Sequence, residues 1–584
     1  MLALIWLKTA PRRWHKGFDG LLPKTVLHWL SVALLLAVFT AYAADWVRAY
    51  AQGLTNPNLQ TDDARTALFP FHRYGPGAPL ANDPIANEMI EYQPYAFRAF
   101  YWLTVPLVGL LYASKLAQGL CLLIVLAAGL VLLRSRRAGL GAALLFLFLF
   151  LRDDFVMNRI GGGLPRSFGF PAIALWFAGV IAHRPWARWV AGGIAALTYP
   201  SALAMVLGAE GLYALRRFGR PGLRTTWRRV RNYGLLVATC AALLAPAVFL
   251  GASDGGPVHT MEQAEQEPAF SRAGRLWLLP MDEAGETFGR HFLKVFKPKG
   301  GGPPGVDWRI EKHVDEIAML LVALLVILPL TGVTPAPTGV IAFLAASLIL
   351  YAVSMIEAFR LYSPERYYSY GMRAAALGLA ASCLGLLLPR VLPQRRQPLR
   401  NAIAAAVIGL TWMTLGDGHV RRPLAMTIDY RQDAPLWEYI KTLPTDARIA
   451  AHIMDGDSIP LFAQRANNGG FETLQPWLTK SWARQKARAE DTLRAFYAAD
   501  PQEVLAYARK YKVTHLLVNQ VRYRSDFVGR SRSFQPLTAF AQELLKDRSR
   551  KDLVLARVPS SAVIFRHGRM SIVDVNKLAE AWRE

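Results

Sequence analysis

Long apolar runs alternate with short polar segments over the first 416 residues of the chain. A helix that crosses a bilayer needs about 20 mostly apolar residues, because lipid offers no partner to an unpaired backbone group. The pattern therefore predicts a membrane portion with about eleven spans. The expected spans are residues 26–45, 115–133, 138–151, 167–183, 188–199, 200–215, 233–251, 315–332, 337–354, 372–389 and 401–416.

Basic residues cluster in short tracts between these apolar runs. Cytoplasmic loops carry the excess of arginine and lysine in membrane proteins, so we place all the tracts, and with them the N-terminus, in the cytoplasm. This arrangement favours two helices separated at Thr198-Tyr199-Pro200-Ser201 over a single kinked one, although a further span elsewhere would restore the same sidedness. The tracts are residues 8–24, 134–137, 184–188, 216–231 and 390–400, and the outward loops are 45–114, 152–166, 252–314 and 355–371.

The pattern changes after residue 416. Amphipathic helical segments then alternate with short apolar runs that are typical of strands, of which 513–518 is the clearest and 553–558 is another. We therefore predict two domains: residues 1–416 form a polytopic α-helical membrane domain, and residues 417–584 form a soluble α/β domain on the outer side. Residues 85–114, interrupted by prolines, are predicted to lie as amphipathic helix in the outer interface.

Composition supports this division. The 584 residues are 53% hydrophobic, with a mean hydropathy of +0.21, which suits a membrane portion joined to a soluble one. The net charge of +25 is typical of nucleic-acid binders, but the basic tracts follow membrane topology, so no nucleic-acid partner is expected. The three cysteines lie in apolar runs, which indicates neither a disulfide framework nor a cysteine metal site.

Polar side chains that suit group-transfer chemistry concentrate in three outward loops. Asp62 and Asp63 are adjacent in the first loop, followed by Arg65 and His72. Adjacent aspartates are often turn or cap residues, and arginine and tyrosine favour headgroup depth, so each group also has a plainer interpretation. Their placement on one side of the membrane favours a shared site. The other candidates are Asp153, Asp154, Arg166, Arg360, Tyr362, Glu365, Arg366 and Tyr367.

With these motifs, the chain resembles the GT-C superfamily of integral-membrane glycosyltransferases. The resemblance rests on the cytoplasmic N-terminus, on the acidic pair Asp62-Asp63 in a long first outer loop, and on a second acidic site at Asp153 and Asp154. The segment 360–367 resembles an Arg/Tyr motif in a late loop of bacterial members. The resemblance to the superfamily covers most of residues 26–416 by architecture but only a few residues by motif.

The resemblance implies that a sugar moves from a polyprenyl-phosphate donor to a glycan, lipid or protein acceptor at the outer face of the bacterial cytoplasmic membrane. Asp62 is the expected general base, with Asp63 as the second catalytic candidate. Arg166, Arg360 and Arg366 are the candidates for the phosphate. No cofactor is expected, although the acidic pairs of the first two outer loops have the chemistry to hold Mg²⁺ or Mn²⁺ instead.

Other classes of protein remain open. One alternative is a transporter or flippase of a lipid-linked sugar or polymer, which is expected to carry ionisable residues inside its spans. Glu210 is the only clear acidic residue in the predicted spans, which counts against ion-coupled transport, though flipping need not be ion-coupled. If the chain is instead a non-catalytic envelope assembly protein, Asp62 is expected to tolerate substitution. A separate soluble site in the last domain would use residues such as His452, Asp455, Asp457 and His515.

Overall fold

The computed structural model describes most of the chain. The described residues are 24–135, 139–215, 223–249, 254–276 apart from 272, 338–391 apart from 358 and 362, 397–414, and 427–584 apart from 525–526 and 528–532. The predicted span 315–332, most of the predicted loop 252–314 and Tyr362 therefore lie outside them.

Helices occupy every predicted span within the described ranges, because each apolar run can satisfy its backbone only internally. Three of them, Thr25–Thr55, Leu110–Leu133 and Thr338–Ile356, are long and apolar enough to cross a membrane, and the total of eleven spans stays a prediction. The helices are α1 (Lys24–Thr55), α2 (Ala64–Ala67), α3 (Pro84–Glu91), α4 (Tyr95–Val108), α5 (Leu110–Leu133), α6 (Gly139–Arg152), α7 (Asp154–Ile160), α8 (Gly169–Ile181), α9 (Pro185–Thr198), α10 (Pro200–Leu215), α11 (Leu223–Phe249), α12 (Met261–Gln266), α13 (Thr338–Ile356), α14 (Pro364–Val391) and α15 (Gln397–Thr414).

Two local features follow from proline. Tyr199 has extended backbone (φ −145°) and separates α9 from α10, as the sequence predicted. Pro94 likewise separates α3 from α4. Helix α4 buries Tyr101 on one face and exposes Trp102 and Leu107 on another, which suits the interfacial position predicted for this segment.

Residues 427–584, here called the C-terminal unit, contain a mixed five-stranded sheet in the order β4-β3-β5-β7-β6. Strand β3 is parallel to β4 and β5, whereas β7 is antiparallel to both of its neighbours. The apolar run 553–558 was expected to be a strand but forms turns of 3-10 helix that bury Leu555. The strands are β3 (Arg448–Ala451), β4 (Ala466–Asn467), β5 (His515–Asn519), β6 (Val563–His567) and β7 (Met570–Asp574), and the helices are α16 (Ala434–Thr442), α17 (Thr479–Phe496), α18 (Pro501–Tyr511), α19 (Leu537–Leu545) and α20 (Val575–Ala581).

Residues 45–114, which are predicted to face outward and are here called the first outer loop, contact the C-terminal unit. Strand β1 (Leu59–Thr61) pairs antiparallel with β2 (Thr427–Asp429), so the two parts of the chain share backbone hydrogen bonds. Phe71 of the loop and Phe462 of the C-terminal unit belong to one continuous apolar cluster that extends into the membrane helices. Because apolar burial is the main favourable term in such contacts, this cluster fixes the position of the loop.

Polar contacts define the register of that interface. The imidazole Nε2 of His72 donates a hydrogen bond to the Leu461 carbonyl at 2.7 Å. Asp83 forms an ion pair with Arg448 at 3.1 Å, and Gln485 donates to Glu88 at 2.9 Å. His72 was a substrate-binding candidate, but it is 5% exposed and its described contact joins the loop to the C-terminal unit, so we assign it a structural role.

The buried imidazole predicts an acid-sensitive interface. Burial lowers the pKa of His72 from 6.5 to about 4. The hydrogen bond that His72 donates to the Leu461 carbonyl opposes this shift, and the charge of Lys441 adds to it. The stability that neutral His72 contributes is therefore present above pH 6.5 and is lost as the pH falls towards 4. We expect His72→Gln to reduce the fall in melting temperature of the purified protein between pH 7 and 5. An unchanged pH dependence of the melting temperature in His72→Gln would contradict this role. His452 is also buried and contributes equally to the pH dependence of both proteins.

Candidate functional site

A three-glycine turn sets the geometry of residues 152–166, which are predicted to face outward and are here called the second outer loop. Gly162 and Gly163 have positive φ angles of 85° and 63°, which side chains with a Cβ rarely adopt. A Cβ at Gly162 would collide with the Thr61 side chain, and one at Gly163 with the Ser114 carbonyl. The Tyr101 hydroxyl donates to the Gly163 carbonyl at 2.7 Å. The turn therefore packs directly against β1 and the start of α5.

Arg166 follows this turn in a short 3-10 helix, Pro165–Phe168. The Ser167 hydroxyl donates to the Gly161 carbonyl at 3.0 Å and accepts from the Leu164 amide at 3.1 Å, which holds the segment in place. The Arg166 guanidinium is thereby directed at Asp63 of the first loop, and the two form an ion pair. Arg166 is 15% exposed and Asp63 is 43% exposed, so the pair is open to solvent on the aspartate side.

Asp63 lies in a strongly positive environment. Burial by itself raises the pKa of its carboxyl, but Arg166, together with Arg159 and Arg366, lowers it further, and the net pKa is below the ordinary value. Arg159 comes from α7 and Arg366 from the start of α14. The second outer loop and residues 355–371, here called the late loop, thus bring three guanidinium groups to one carboxylate, which is ionised at neutral pH.

Asp62 is directed to a different set of partners. Its carboxylate pairs with Arg65 one helical turn away and is 44% exposed. The Arg65 guanidinium lies over the Tyr430 ring at 5.8 Å from its centroid. Burial lowers the pKa of Arg65, but Tyr430, Asp457 and other nearby acidic groups raise it more. Adjacent carboxylates therefore have different neighbours: Asp63 meets the loops of the membrane portion, and Asp62 meets the C-terminal unit.

Asp153 connects the two helices that carry Arg159 and Arg366. It caps α7 by accepting from the Val156 amide at 3.0 Å, and it pairs with Arg373 of α14 at 2.6 Å. Its side chain is only 8% exposed. These contacts hold together the two helices that carry Arg159 and Arg366, which gives Asp153 a positioning role. The side chain of Asp154 lies outside the described part of the structure.

The late-loop candidates separate into two groups. Arg366 lies close enough to Asp63 to lower its pKa, whereas Arg360 is exposed and pairs with Glu357 at 3.2 Å. Buried Tyr367 donates to the Leu361 carbonyl at 2.9 Å and shapes the loop. Tyr362 and the side chain of Glu365 are not among the described groups.

Several contributors were not assigned to this site from the sequence. Arg159 and Arg373 stand within the loops that the sequence singled out, but their partners lie far along the chain, 220 residues away for Arg373. Tyr430, Asp457 and Glu472 come from the C-terminal unit, and no sequence pattern links them to Arg65. Among the residues that the structure describes, no group of three or more histidine, cysteine or acidic side chains is placed to hold a metal ion.

Comparisons with known proteins give structural similarities alone. No protein-family model matches the sequence, and no curated protein matches it. Among solved structures, the oligosaccharyltransferase AglB from Archaeoglobus fulgidus is 13% identical over 86% of this chain and 71% of its own, with a TM-score of 0.45. ArnT from Cupriavidus metallidurans, bound to undecaprenyl phosphate, is 14% identical over 92% of this chain and 98% of its own, with a TM-score of 0.43.

A third match is the arabinofuranosyltransferase AftD from Mycobacteria, at 14% identity and a TM-score of 0.42. It covers 87% of this chain but 35% of its own, so this chain spans about a third of that protein. All three are membrane glycosyltransferases of the GT-C superfamily, which the sequence also resembles. Overlap at this level of identity assigns neither an activity nor a site to the chain.

The glycine turn provides a test of the site's architecture. Gly163→Ala is expected to destabilise the protein by about 2 kcal/mol or more, because it adds a backbone collision to an unfavourable φ. Gly161→Ala is the matched control, since Gly161 has a φ of −64° and its added Cβ would meet only the Thr61 methyl, at 3.1 Å. Thermal melting of the purified proteins measures the difference. Equal melting temperatures would show that the turn does not pack as described.

Proposed function

We propose that the chain is a membrane glycosyltransferase that transfers a sugar from a polyprenyl-phosphate donor to an acceptor hydroxyl at the outer face of the membrane. The observation that carries the proposal is the pair of adjacent carboxylates with different surroundings. Asp63 is surrounded by Arg166, Arg159 and Arg366, while Asp62 is exposed beside Arg65. The arginines around Asp63 suit binding of the donor phosphate, and the exposed Asp62 suits removal of the acceptor proton.

The arginine cluster suits the donor phosphate. A guanidinium group binds two oxygens of a phosphate through its planar fork, and arginine stays protonated under all physiological conditions. Three such groups around one carboxylate leave excess positive charge, so a phosphate is expected to compete with Asp63 for Arg166. The same groups would stabilise the negative charge that develops on the phosphate oxygen as the sugar leaves.

Asp62 is better suited than Asp63 to be the base. In the transfer, an acceptor oxygen forms a bond to the anomeric carbon, the bond from that carbon to the phosphate oxygen breaks, and the acceptor proton passes to a carboxylate. The arginines that lower the pKa of Asp63 make it a weak proton acceptor. Asp62 has one arginine partner and an accessible carboxylate that faces the C-terminal unit, from which side the acceptor is expected to approach.

The membrane position is part of the same proposal. The basic tracts favour a cytoplasmic N-terminus in the bacterial cytoplasmic membrane, with residues 417–584 outside. Because nucleotide sugars are made in the cytoplasm, an outward site is better served by a lipid-linked donor. The paired aspartates each bind an arginine, so the proposed reaction uses these side chains without a metal ion.

The transporter alternative gains no support from Glu210. This residue pairs with Arg188, and the Trp176 indole donates to it at 3.2 Å. A buried carboxylate with both a cation and a hydrogen-bond donor is a satisfied structural group. Its contacts therefore account for the one clear acidic residue that the sequence placed within the spans.

The assignment of the base is tested by two substitutions. Asp62→Asn is expected to lower kcat by about 100-fold or more, because it removes the proton acceptor and keeps the size of the side chain. Asp63→Asn is expected to have a smaller effect on kcat and to retain binding of the lipid phosphate. The measurement is sugar transfer by purified protein with polyprenyl-phosphate-linked donors, alongside donor binding.

Asp45→Asn is the matched control, because Asp45 also pairs with an arginine one helical turn away, Arg48, at 2.9 Å. It lies at the outer part of α1 and takes no part in the proposed site, so its activity should equal that of the unaltered protein. Full activity in both Asp62→Asn and Asp63→Asn would refute the proposed function.

A further inference from the structure

Two contacts at successive positions join the start of the second outer loop to α14. Asp153, which caps α7, pairs with Arg373 at 2.6 Å. The Phe155 ring meets the Tyr370 ring edge to face, with 6.0 Å between the two centroids. The first contact lies earlier along α7 and later along α14 than the second, so the two segments run in opposite directions here. The next turn of α7 therefore corresponds to the preceding turn of α14.

An arginine stands one helical turn beyond the ring on each of these helices. Arg159 follows Phe155 by four residues, and Arg366 precedes Tyr370 by four residues. Side chains four residues apart in an α-helix share a face, so each arginine is on the same side of its helix as the ring. The contact between the two rings therefore brings the two arginines to the same level. Both arginines lower the pKa of the Asp63 carboxyl, as this joint placement requires.

A separate contact holds the first outer loop beside Arg159. Gly161 lies two residues after Arg159, and a Cβ added to Gly161 would meet the Thr61 side chain at 3.1 Å. Thr61 in turn lies two residues before Asp63. The close approach of the two backbones thus keeps Arg159 near Asp63.

Phe155 also contacts one of the cations directly. The Arg159 guanidinium carbon lies over the Phe155 ring, 5.0 Å from its centroid. The face of an aromatic ring attracts a cation within about 6 Å, and this attraction does not neutralise the charge. The ring can therefore hold the guanidinium group in place while the group still attracts a phosphate. Arg166 is held differently, because its ion pair with Asp63 matches its charge.

Phe155 packs against a group of buried rings from several helices. Phe170 of α8 is stacked on Tyr370, with 4.5 Å between the centroids and 11° between the planes, and both rings are fully buried. Phe155 is partly buried and lies 5.9 Å from Phe170, while Tyr199 lies 5.6 Å from Tyr370. Close packing leaves such rings little room to reorient, so the position of Phe155 is fixed from below.

We propose that Phe155 is a positioning residue for the donor phosphate. Its ring holds the Arg159 guanidinium, and its contact with Tyr370 sets the separation between Arg159 and Arg366. This inference rests on the proposed function, because it concerns the arginines that we assign to the phosphate. The separation decides whether both guanidinium groups bond oxygens of the same phosphate. A ring that only filled space could be replaced by any apolar side chain of similar size, whereas this role requires an aromatic face.

The first experiment measures equilibrium binding of polyprenyl phosphate to the purified full-length protein. Phe155→Leu keeps an apolar side chain and removes the ring, and we expect it to weaken binding by roughly two- to fivefold, the change that corresponds to a cation–π contact at a partly exposed position. Phe155→Tyr keeps the aromatic face and should retain the affinity. Unchanged affinity in Phe155→Leu, or an equal loss in Phe155→Tyr, would overturn the proposal.

Phe39→Leu is the matched control for this experiment. Phe39 is a partly buried ring of α1 that contacts Tyr42 at 6.3 Å, a separation close to that between Phe155 and Tyr370. It lies outside the proposed site, so the variant should bind polyprenyl phosphate like the unaltered protein. An equal loss of affinity in Phe39→Leu and Phe155→Leu would assign the effect to general packing and contradict the proposal.

The second experiment separates the electrostatic contact from packing. Phenylalanine analogues with one, two and three ring fluorines are incorporated in place of Phe155. Fluorine withdraws electron density from the face of the ring while the ring nearly keeps its shape, so the affinity for polyprenyl phosphate should fall in steps along the series. The same analogues in place of Phe39 should leave the affinity unchanged. Equal affinities along the Phe155 series would show that the ring only fills space, which is contrary to the proposal.

A thermodynamic cycle without lipid distinguishes this inference from the proposed function. Thermal melting is compared for Phe155→Leu, Arg159→Gln and the double variant. The two losses in melting temperature should be less than additive, because each substitution removes the same contact. Additive losses in a protein that binds polyprenyl phosphate would overturn this inference alone. An unaltered protein that does not bind polyprenyl phosphate would instead contradict the proposed function.

Discussion

The ion pair between Asp63 and Arg166 is the contact on which the candidate site depends. It joins the first outer loop to the second, and the neighbouring Arg159 and Arg366 extend it to the late loop. The three positively charged guanidinium groups repel one another, and the negative charge of Asp63 offsets that repulsion. The carboxylate therefore keeps three guanidinium groups together, and we propose that a phosphate replaces it there as the counter-ion.

The charges alone do not hold the first loop in place. Partly buried ion pairs contribute little net stability, because desolvation offsets most of their attraction. The apolar cluster that includes Phe71 and Phe462, and the pairing of β1 with β2, supply the fixed frame. Within that frame the ion pairs set the orientations of the two carboxylates. Asp62 faces the C-terminal unit, while Asp63 faces the loops of the membrane portion. The C-terminal unit is in this sense part of the site and not an appendage.

The sequence predicted the parts of this arrangement that follow from local pattern. The lengths of the apolar runs predicted the helices of the membrane portion, and the proline at 200 predicted the break at Tyr199. The acidic pair directed attention to the first outer loop. The sequence could not predict contacts between distant residues, because nothing local links Asp153 to Arg373 or Asp83 to Arg448. The apolar run 553–558 was wrongly predicted to be a strand: it buries Leu555 in a turn of 3-10 helix, since an apolar run reports burial and not backbone conformation.

The central claim is that the arginines around Asp63 bind a lipid phosphate, and equilibrium binding of polyprenyl phosphate to the purified protein tests it most directly. We predict that Arg166→Gln weakens binding by about tenfold or more, the effect of losing one charge-assisted hydrogen-bonding group. Arg360→Gln is the control, because Arg360 is exposed and pairs with Glu357. Unchanged affinity in Arg166→Gln, or an equal loss in Arg360→Gln, would contradict the claim.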